Sequence, residues 1–399
     1  PKSAQTRSAK QTSTEPNVKL GIFHFLIHKE STAALQQFLR DSYMATASTS
    51  NKPRVALILQ GGGALGAYHI GAYQALHEAG LEPDWFAGIS IGAINSCVLA
   101  GNPPEQRLQQ IEALWDDISR PDISGEFLPE PLRKLYNKGS FLSAVAFGQP
   151  HFWQPRFPSP ALLSDMPPEE ASYCDTSPIR ATLQRLADFD LINQKKTRLS
   201  LGATQVTTGE LVFFDNQRQT IAPEHVLASG SLPPGFPATE VDGELYWDGG
   251  CVSNTPLDAI FQDPPAGNTL VFMVDLWDAH GKAPRNMEDV SWRQKQILYS
   301  SRSAQHIAAL ATRHNHQRAL HRLSQNGKVD IASVSDDLNL DAHQGDAQFD
   351  IVHLIYQPAA DQIADSDAEF SRSSILERRN AGYADMQKAL KNSPWTKHQ

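Results

Sequence analysis

The sequence has few cysteines, no long apolar run and no excess of positive charge. Its three cysteines are widely spaced and odd in number, which excludes a disulfide framework and suits a reducing compartment. No apolar run approaches the roughly 18 to 20 residues of a membrane-spanning helix. A net charge of −9 over 399 residues argues against nucleic acid as a partner, because phosphate binding needs a basic surface. We therefore expect a cytoplasmic protein, and the start at Pro1 leaves open a removed signal peptide.

Acidic residues are absent from one long segment, residues 291–328, which is predicted to be helical. Two interpretations of its lysines and arginines stay open: a peripheral contact with anionic lipid head groups, or a solvated surface that pairs with acidic residues elsewhere. His314, His316 and His321 in this segment come without a matching set of carboxylates or cysteines. We therefore expect no metal site.

Buried parallel strands are indicated by unbroken apolar runs. Val55–Leu59 is such a run, and it is followed by a glycine loop, a predicted helix over 66–79 and a second strand that leads to Ser90. Further predicted elements are strands at 197–204, 210–215, 244–247, 269–276 and 351–356 and a helix at 371–390. The pattern predicts the α/β class, as a three-layer α/β/α sandwich with a largely parallel central sheet and a C-terminal helical extension.

The stretch Gly88-Ile89-Ser90-Ile91-Gly92 is the most informative motif. A serine between two glycines, at a turn from strand to helix, is typical of an exposed nucleophile. Gly88 and Gly92 allow the sharp turn and the close packing of helix on strand. Ser90 would then lie at a helix N-terminus, where backbone N–H groups favour negative charge.

The loop Gly61-Gly62-Gly63-Ala64-Leu65-Gly66 follows a buried strand and opens a helix, so its N–H groups can bind an anion. That anion is either a nucleotide pyrophosphate or the oxyanion of a tetrahedral acyl intermediate. A dinucleotide site needs an acidic residue at the C-terminal end of the second strand, and Glu82 and Asp84 precede that strand. Ser90 stands at that end, which favours the oxyanion.

A serine nucleophile needs a base, and the motif Asp248-Gly249-Gly250 offers one. Alone, Asp-Gly-Gly is a common tight turn. Here the motif follows a predicted strand, and its glycines would let the backbone bring Asp248 close to Ser90.

In chain order, the glycine loop, the serine elbow and Asp-Gly-Gly resemble the motifs of the patatin-like phospholipases, serine lipid acyl hydrolases that use a Ser-Asp dyad. The resemblance covers about residues 54–280 and includes the segments Ala228–Pro237, Asp242-Gly243 and Asn254–Leu257; Phe370–Ile375 and Ala381–Tyr383 resemble a C-terminal extension of some bacterial members. It implies a patatin-like fold, no cofactor and a lipid or other acyl-ester substrate. It also implies Ser90 as nucleophile, Asp248 as general base and oxyanion amides from Gly61, Gly62, Gly63 and Ala64. Leu65 stands where many members have Arg or Lys, so this position supplies no cation for recognising a phosphate.

Three alternatives stay open. A Ser-His-Asp triad would use His280 or His353, which follow the acid in chain order. The substrate could be a thioester such as acyl-CoA, a neutral glyceride or a hydroxyalkanoate oligomer in place of a phospholipid. The chain could also be a non-catalytic protein that binds membrane surfaces.

Three regions are predicted along the chain. Residues 1–50 are a tail with a short amphipathic helix over 31–44, residues 51–284 are the catalytic domain, and residues 285–399 are the C-terminal extension. Within the catalytic domain, residues 120–170 are rich in aromatic residues and proline and show no period. Such an insertion is typical of a binding-site wall, or of a hydrophobic cluster over the core. The oligomeric state is not indicated.

Overall fold

The computed structural model describes residues 22–24, 54–120, 128–162, 165–262, 267–300, 303–325, 349–358 and 363–392. Within these residues, the strands form one nine-stranded sheet and a separate two-stranded pair. The strands are β1 Ile22–His24, β2 Arg54–Leu59, β3 Trp85–Ile89, β4 Gln154–Pro155, β5 Cys174–Asp175, β6 Arg198–Gln205, β7 Leu211–Asp215, β8 Thr239–Val241, β9 Glu244–Asp248, β10 Thr269–Asp275 and β11 Phe349–Ile355.

Helices cover both faces of the large sheet. They are α1 Ala67–Glu78, α2 Ile91–Ala100, α3 Pro104–Asp117, α4 Glu130–Phe147, α5 Ser177–Leu186, α6 Phe189–Asn193, α7 Pro223–Gly230, α8 Asp258–Gln262, α9 Met287–Tyr299, α10 Ser303–Gln325 and α11 Arg372–Asn392. Short 3₁₀ helices lie at Gly63–Gly66, Pro160–Leu162, Gly249–Cys251 and Ser366–Ala368.

The sheet order is β1-β11-β10-β2-β3-β6-β9-β8, with β7 also paired to β6. Along this order, every pair in the part β1-β11-β10-β2-β3-β6 is parallel. The pairs that involve β7, β8 and β9, at the other end of the sheet, are antiparallel. Strand β2 is buried on both faces: Leu57 and Leu59 join a large core cluster with α1, α2, α3 and α11, whereas Ala56 and Ile58 join a smaller one with α8. The predicted three-layer sandwich with a largely parallel sheet is confirmed.

The register of three strands positions the elbow serine and the distant aspartate. The last pair between β3 and β6 is Ile89 with Gly202, and the pair between β9 and β6 that lies next to it is Asp248 with Ala203. Strand β9 thus continues the sheet where β3 ends. Ser90 directly follows Ile89, so this register brings the end of β9 beside the turn that carries Ser90.

The C-terminal region is built into the same core. Strand β11 lies between β1 and β10, and α11 packs along α1 so closely that a Cβ on Gly71 would meet the Arg379 carbonyl oxygen at 1.8 Å. The predicted long helix over 291–328 is instead two helices, α9 and α10. The aromatic insertion contains an 18-residue helix, α4, which its irregular pattern did not predict. The helix predicted over 31–44 lies outside the described residues, and the domain boundaries stay a prediction.

Candidate active site

Ser90 lies at a strained turn between β3 and α2. Its backbone has φ 57° and ψ −126°, outside the regions that L-residues favour. The Ser90 N–H donates to the Ser229 carbonyl oxygen at 3.0 Å and to its Oγ at 3.2 Å, which holds the turn in place. Glycine is required on both sides: a Cβ on Gly88 would lie 2.2 Å from the Gly92 carbonyl oxygen, and one on Gly92 would lie 2.1 Å from that of Leu59.

Asp248 ends β9 and is 1% exposed. Its Oδ1 accepts a hydrogen bond from the Gly250 N–H at 2.7 Å, and Gly249 packs against Gly202 of β6. Burial raises the pKa of Asp248 to about 7, against smaller opposing effects of hydrogen bonding from the Ser90 side chain and the Gly250 amide.

Ser90 and Asp248 both line one cavity and lie close to each other. Hydrogen bonding from the Ser90 side chain lowers the Asp248 pKa, so the hydroxyl lies within reach of the carboxyl group. Asp248 Oδ2, however, makes no hydrogen bond of standard geometry to any described residue. Contacts of this kind are often long in a free enzyme and tighten when substrate binds.

The glycine loop faces the same point. A Cβ on Gly61 would lie 3.0 Å from the Ser90 Cβ. The Gly61 N–H, however, donates to the Asn254 carbonyl oxygen at 3.2 Å, which corrects the expectation that it is an oxyanion donor. The amides of Gly62, Gly63 and Ala64 stand at the start of a 3₁₀ helix, where N–H groups lack partners within the helix, and no described residue accepts a hydrogen bond from them.

A buried polar layer holds this loop from behind. The Gly61 carbonyl oxygen accepts hydrogen bonds from Asn254 Nδ2 at 2.8 Å and from Trp277 Nε1 at 2.9 Å. Gln60 Oε1 accepts from the N–H groups of Leu276 and Trp277, and Gln60 Nε2 donates to the Thr255 hydroxyl at 2.8 Å. The position of the loop is therefore determined by β10 and by the segment after Asp248.

The C-terminal region holds the loop from the other side. The buried guanidinium of Arg378 donates to the carbonyl oxygens of Ala64, Glu369 and Ser366 at 2.9–3.1 Å. Gly63 has φ +54°, and a Cβ there would lie 2.1 Å from the Asp367 carbonyl oxygen. Residues 366–378 therefore pack directly on the glycine loop.

These residues open onto a cavity of about 600 Å³. Gly61, Gly62, Gly63, Ser90, Ile91, Asp248 and Gly250 line it, together with apolar side chains from other regions, among them Leu232 and Phe236. The predicted insertion contributes Phe141, Phe152 and Trp153, and the C-terminal part contributes Phe370. The predicted elbow and Asp-Gly-Gly residues thus meet in one place. Ala64 and Gly66 are buried beneath them, and Gly66 packs against Ile91.

The two histidines of the triad alternative lie elsewhere. His353 Nε2 contacts Asp275 Oδ2 at 2.8 Å inside the sheet, on a strand that β10 and β2 separate from β3. Three strand spacings are roughly 14 Å, which is far beyond hydrogen-bond reach of Ser90. The His280 side chain is 92% exposed and contacts Asp278. No histidine is among the described residues that line the cavity.

The structure also bears on the metal, membrane and charge predictions. In the part of the chain that is described, no group of three or more His, Cys, Asp or Glu side chains could hold a metal ion.

None of the helices given above is long and apolar enough to cross a membrane. Within the segment that lacks acidic residues, Lys295 binds Asp365 at 3.0 Å and Asp367 at 2.7 Å, so at this position the ion-pair interpretation holds.

Sequence reasoning missed Arg378, Asp367, Trp277 and Tyr299, which hold the glycine loop or line the cavity. No motif marks them, because each acts through a contact that spans more than 200 residues of sequence. Asn254 was noted only as part of a turn that resembles the family.

Comparison with known proteins agrees with the motifs. The patatin-like phospholipase family model matches residues 57–261, and a patatin phospholipase model matches residues 297–399. The fission yeast (Schizosaccharomyces pombe) triacylglycerol lipase ptl3 is 36% identical over 91 residues, which cover 22% of this chain and 19% of that protein. Lysophospholipase NTE1 of Kluyveromyces lactis is 22% identical over 259 residues, or 63% of this chain and 14% of that protein. The chain thus spans less than a fifth of the length of these relatives.

A solved structure of human GIVD cytosolic phospholipase A2 is similar at a TM-score of 0.41 and 13% identity, covering 92% of this chain and 64% of that one. The Legionella pneumophila protein VipD matches at a TM-score of 0.35 and 14% identity, covering 85% of this chain and 66% of that one. Both scores are low, and the assignment rests on the family models, the first of which alone spans half of the sequence. The chain belongs to the patatin-like phospholipase family.

Proposed function

We propose that this chain is a serine lipid acyl hydrolase, of phospholipase A or lysophospholipase type, which cleaves carboxylic esters with Ser90 and Asp248. The observation that carries the proposal is that the Ser90 hydroxyl and a buried carboxyl group with a pKa of about 7 line the same apolar cavity. The names of the relatives, a triacylglycerol lipase and a lysophospholipase, support lipid esters as the substrate class.

Asp248 is the general base of the reaction. A carboxylate with a pKa of about 7 is a far better proton acceptor than an ordinary one, and about half of the molecules carry it ionised at neutral pH. As Ser90 Oγ attacks the ester carbonyl carbon, its proton passes to Asp248. The protonated Asp248 then gives this proton to the departing alcohol oxygen as the C–O bond breaks, which leaves an acyl-serine.

The second half of the reaction uses the same groups. Asp248 takes a proton from water, whose oxygen attacks the acyl carbon, and Ser90 Oγ leaves with that proton to release the fatty acid. In both halves, negative charge develops on the carbonyl oxygen. The amides of Gly62 and Gly63 are the donors we assign to it, because they line the cavity and are not bonded to other described residues.

Peripheral contact with a lipid surface is part of the proposal. Helix α4 carries exposed apolar side chains at Leu132, Leu135, Leu142, Val145 and Phe147. Val145 also lines the cavity, so this apolar face continues into the cavity wall. A lipid that leaves a membrane at this face would keep its acyl chain out of water on the way to Ser90.

The test compares Ser90→Ala with Ser96→Ala, a buried serine on helix α2, which follows Ser90; the Ser96 hydroxyl makes no hydrogen bond to a described residue. We expect Ser90→Ala to abolish fatty-acid release and covalent labelling by a fluorophosphonate, and Ser96→Ala to retain both. Activity that survives in a folded Ser90→Ala protein would refute the proposal. A panel of one phospholipid, one monoacylglycerol and one acyl-CoA separates the substrate classes, and absence of labelling in the folded wild type would favour a non-catalytic binding protein.

A further inference from the structure

Only three charged side chains are among the described residues that line the cavity: Asp248, Asp367 and Arg156. Asp248 is the proposed base. The Asp367 carboxylate is compensated by Lys295, whose Nζ lies 2.7 Å away. Arg156 is therefore the one described cation on the cavity wall, and its role is not explained by the proposed reaction.

Among the described residues, the Arg156 guanidinium donates hydrogen bonds to neutral groups only. Its Nε donates to the Ser172 hydroxyl at 3.2 Å, and one terminal nitrogen donates to the Glu169 carbonyl oxygen at a long 3.4 Å. Within the described chain, no carboxylate forms an ion pair with it. Guanidinium carries five N–H donors in a planar fork, so most of them stay available for a ligand.

The charge of Arg156 acts on the Asp175 carboxylate without forming an ion pair with it: burial tends to raise the pKa of Asp175, whereas hydrogen bonds and, more weakly, Arg156 lower it. Asp175 lies on β5, opposite the short strand that ends at Pro155. Its carboxylate accepts hydrogen bonds from the Ser177 N–H at 2.9 Å, the Ser177 hydroxyl at 2.7 Å and Gln154 Nε2 at 2.9 Å. These bonds occupy both carboxylate oxygens with other donors.

The backbone around Arg156 is anchored to the cavity wall. The Arg156 N–H donates to the Tyr173 carbonyl oxygen at 2.9 Å, and the Tyr173 N–H donates to that of Pro234 at 3.1 Å. Cys174 N–H donates to the Gly235 carbonyl oxygen at 2.9 Å, next to Phe236 of the lining. The backbone that carries Arg156 therefore has a defined position relative to the apolar cavity.

We propose that Arg156 binds the anionic phosphate of a phospholipid or lysophospholipid substrate while the acyl chain occupies the apolar cavity. This inference rests on the proposed function and makes Arg156 a determinant of substrate class. A phosphodiester accepts two parallel hydrogen bonds from guanidinium, whereas a neutral glyceride offers no charge. Leu65 supplies no cation at the glycine loop, so Arg156 is the group of the described cavity lining that distinguishes these two classes.

The experiment measures kcat/KM on two micellar substrates with the same acyl chain, palmitoyl lysophosphatidylcholine and monopalmitoylglycerol, in a neutral detergent. Arg156→Gln is compared with Arg156→Lys and with Arg185→Gln, which removes an exposed arginine that pairs with Asp117 outside this cavity. We expect Arg156→Gln to lower turnover of the lysophospholipid roughly 10- to 100-fold, the effect of losing hydrogen bonds to a charged group. The neutral ester should change less than about threefold, Arg156→Lys should be intermediate, and Arg185→Gln should match the wild type.

Equal losses on both substrates would assign Arg156 a purely structural role and overturn the inference, as would no loss on either. If Ser90→Ala hydrolyses both esters as fast as the wild type, the proposed function fails instead.

A binding experiment tests the inference independently of turnover. Dodecylphosphocholine and dodecyl maltoside are titrated into the protein below their critical micelle concentrations, and binding is followed by tryptophan fluorescence. Weaker binding of only the phosphocholine by Arg156→Gln supports the inference, and equal binding overturns it. Displacement of phosphocholine by inorganic phosphate at equal concentration would identify a free-anion site and also contradict it.

Discussion

The two sides of the cavity are built differently. The floor, Gly61–Gly66 with the residues that hold it, is buried and fastened by hydrogen bonds from Asn254, Trp277 and Arg378. The wall formed by α4 is apolar and partly exposed, with Leu135 68% and Leu142 61% accessible. In the reaction we propose, the floor holds amides where charge develops, which requires defined geometry. The wall needs only to present apolar surface, so we expect it to tolerate substitution.

The largest expected effect on activity comes from replacing Asp248, the proposed base, and it tests whether the floor of the cavity carries the catalytic groups. Asp248→Asn keeps an acceptor for the Gly250 amide but cannot take a proton from Ser90, so we expect kcat to fall by roughly 10⁴-fold. Wild-type kcat/KM should rise with pH through an apparent pKa near 7, because only the ionised carboxylate acts as base. Hydrolysis of a soluble short-chain ester from pH 5 to 9 measures both. A profile that stays flat across this range would contradict the assignment.

The same variant should be more stable than the wild type at alkaline pH. The unfolded aspartate has a pKa of about 3.9 and the native one of about 7, so the native state binds more protons between these values. Wild-type stability therefore falls as pH rises from 4 to 7, by an amount on the order of 4 kcal/mol at completion. Asparagine does not titrate, so the advantage of Asp248→Asn should be near zero at pH 4 and largest above pH 7. Urea unfolding at pH 4.5 and 8 measures it, and a constant difference would refute the burial argument.

A smaller effect is expected at the C-terminal support of the floor. Arg378→Met removes the hydrogen bond to the Ala64 carbonyl oxygen, and we expect kcat to fall roughly 10- to 100-fold with little change in KM. The neighbouring Arg379→Met removes a partly exposed pair with Glu112 and is the control, for which we expect near wild-type kcat.

Loss of Arg378 also leaves Glu369 buried without its cation, 3.7 Å away in the native protein. The double variant Arg378→Met/Glu369→Gln restores charge balance. If it regains thermal stability while kcat stays low, Arg378 acts by positioning the glycine loop. If kcat returns together with stability, Arg378 has only a structural role. The geometry of the floor would then be less sensitive to substitution than we propose.

The smallest effect is expected on the wall. Leu135→Ser combined with Leu142→Ser removes two exposed apolar side chains, so we expect less than a twofold change in hydrolysis of a soluble short-chain ester. Turnover on phospholipid vesicles should fall severalfold, because less apolar surface is available to enter the lipid. Comparing the two substrates measures the effect. Equal changes on both would argue against α4 as the lipid-facing surface.

Local pattern was sufficient for much of the fold. The run Val55–Leu59 predicted a strand buried on both faces, and β2 is one. The glycines around Ser90 predicted a sharp turn, which the positive φ of Ser90 and the close approach of Gly92 to Leu59 explain. Helix α4 in the aromatic insertion was not predicted. It has apolar residues on an exposed face as well as on its buried side, so its sequence lacks the period of an amphipathic helix.

By itself, the sequence determined the α/β class, the elbow at Ser90 and the family, because these depend on residues that are close together in the chain. The motifs also predicted Asp248 as the partner of Ser90, but only the tertiary structure decided how distant groups meet there. Strand order and register brought Asp248 to Ser90 and kept His353 away, the Gly61 amide was taken by Asn254, and Arg378 reached the loop from the last helix. The physical reason is that such contacts arise from how strands pair and helices pack, and local periodicity carries no information about either.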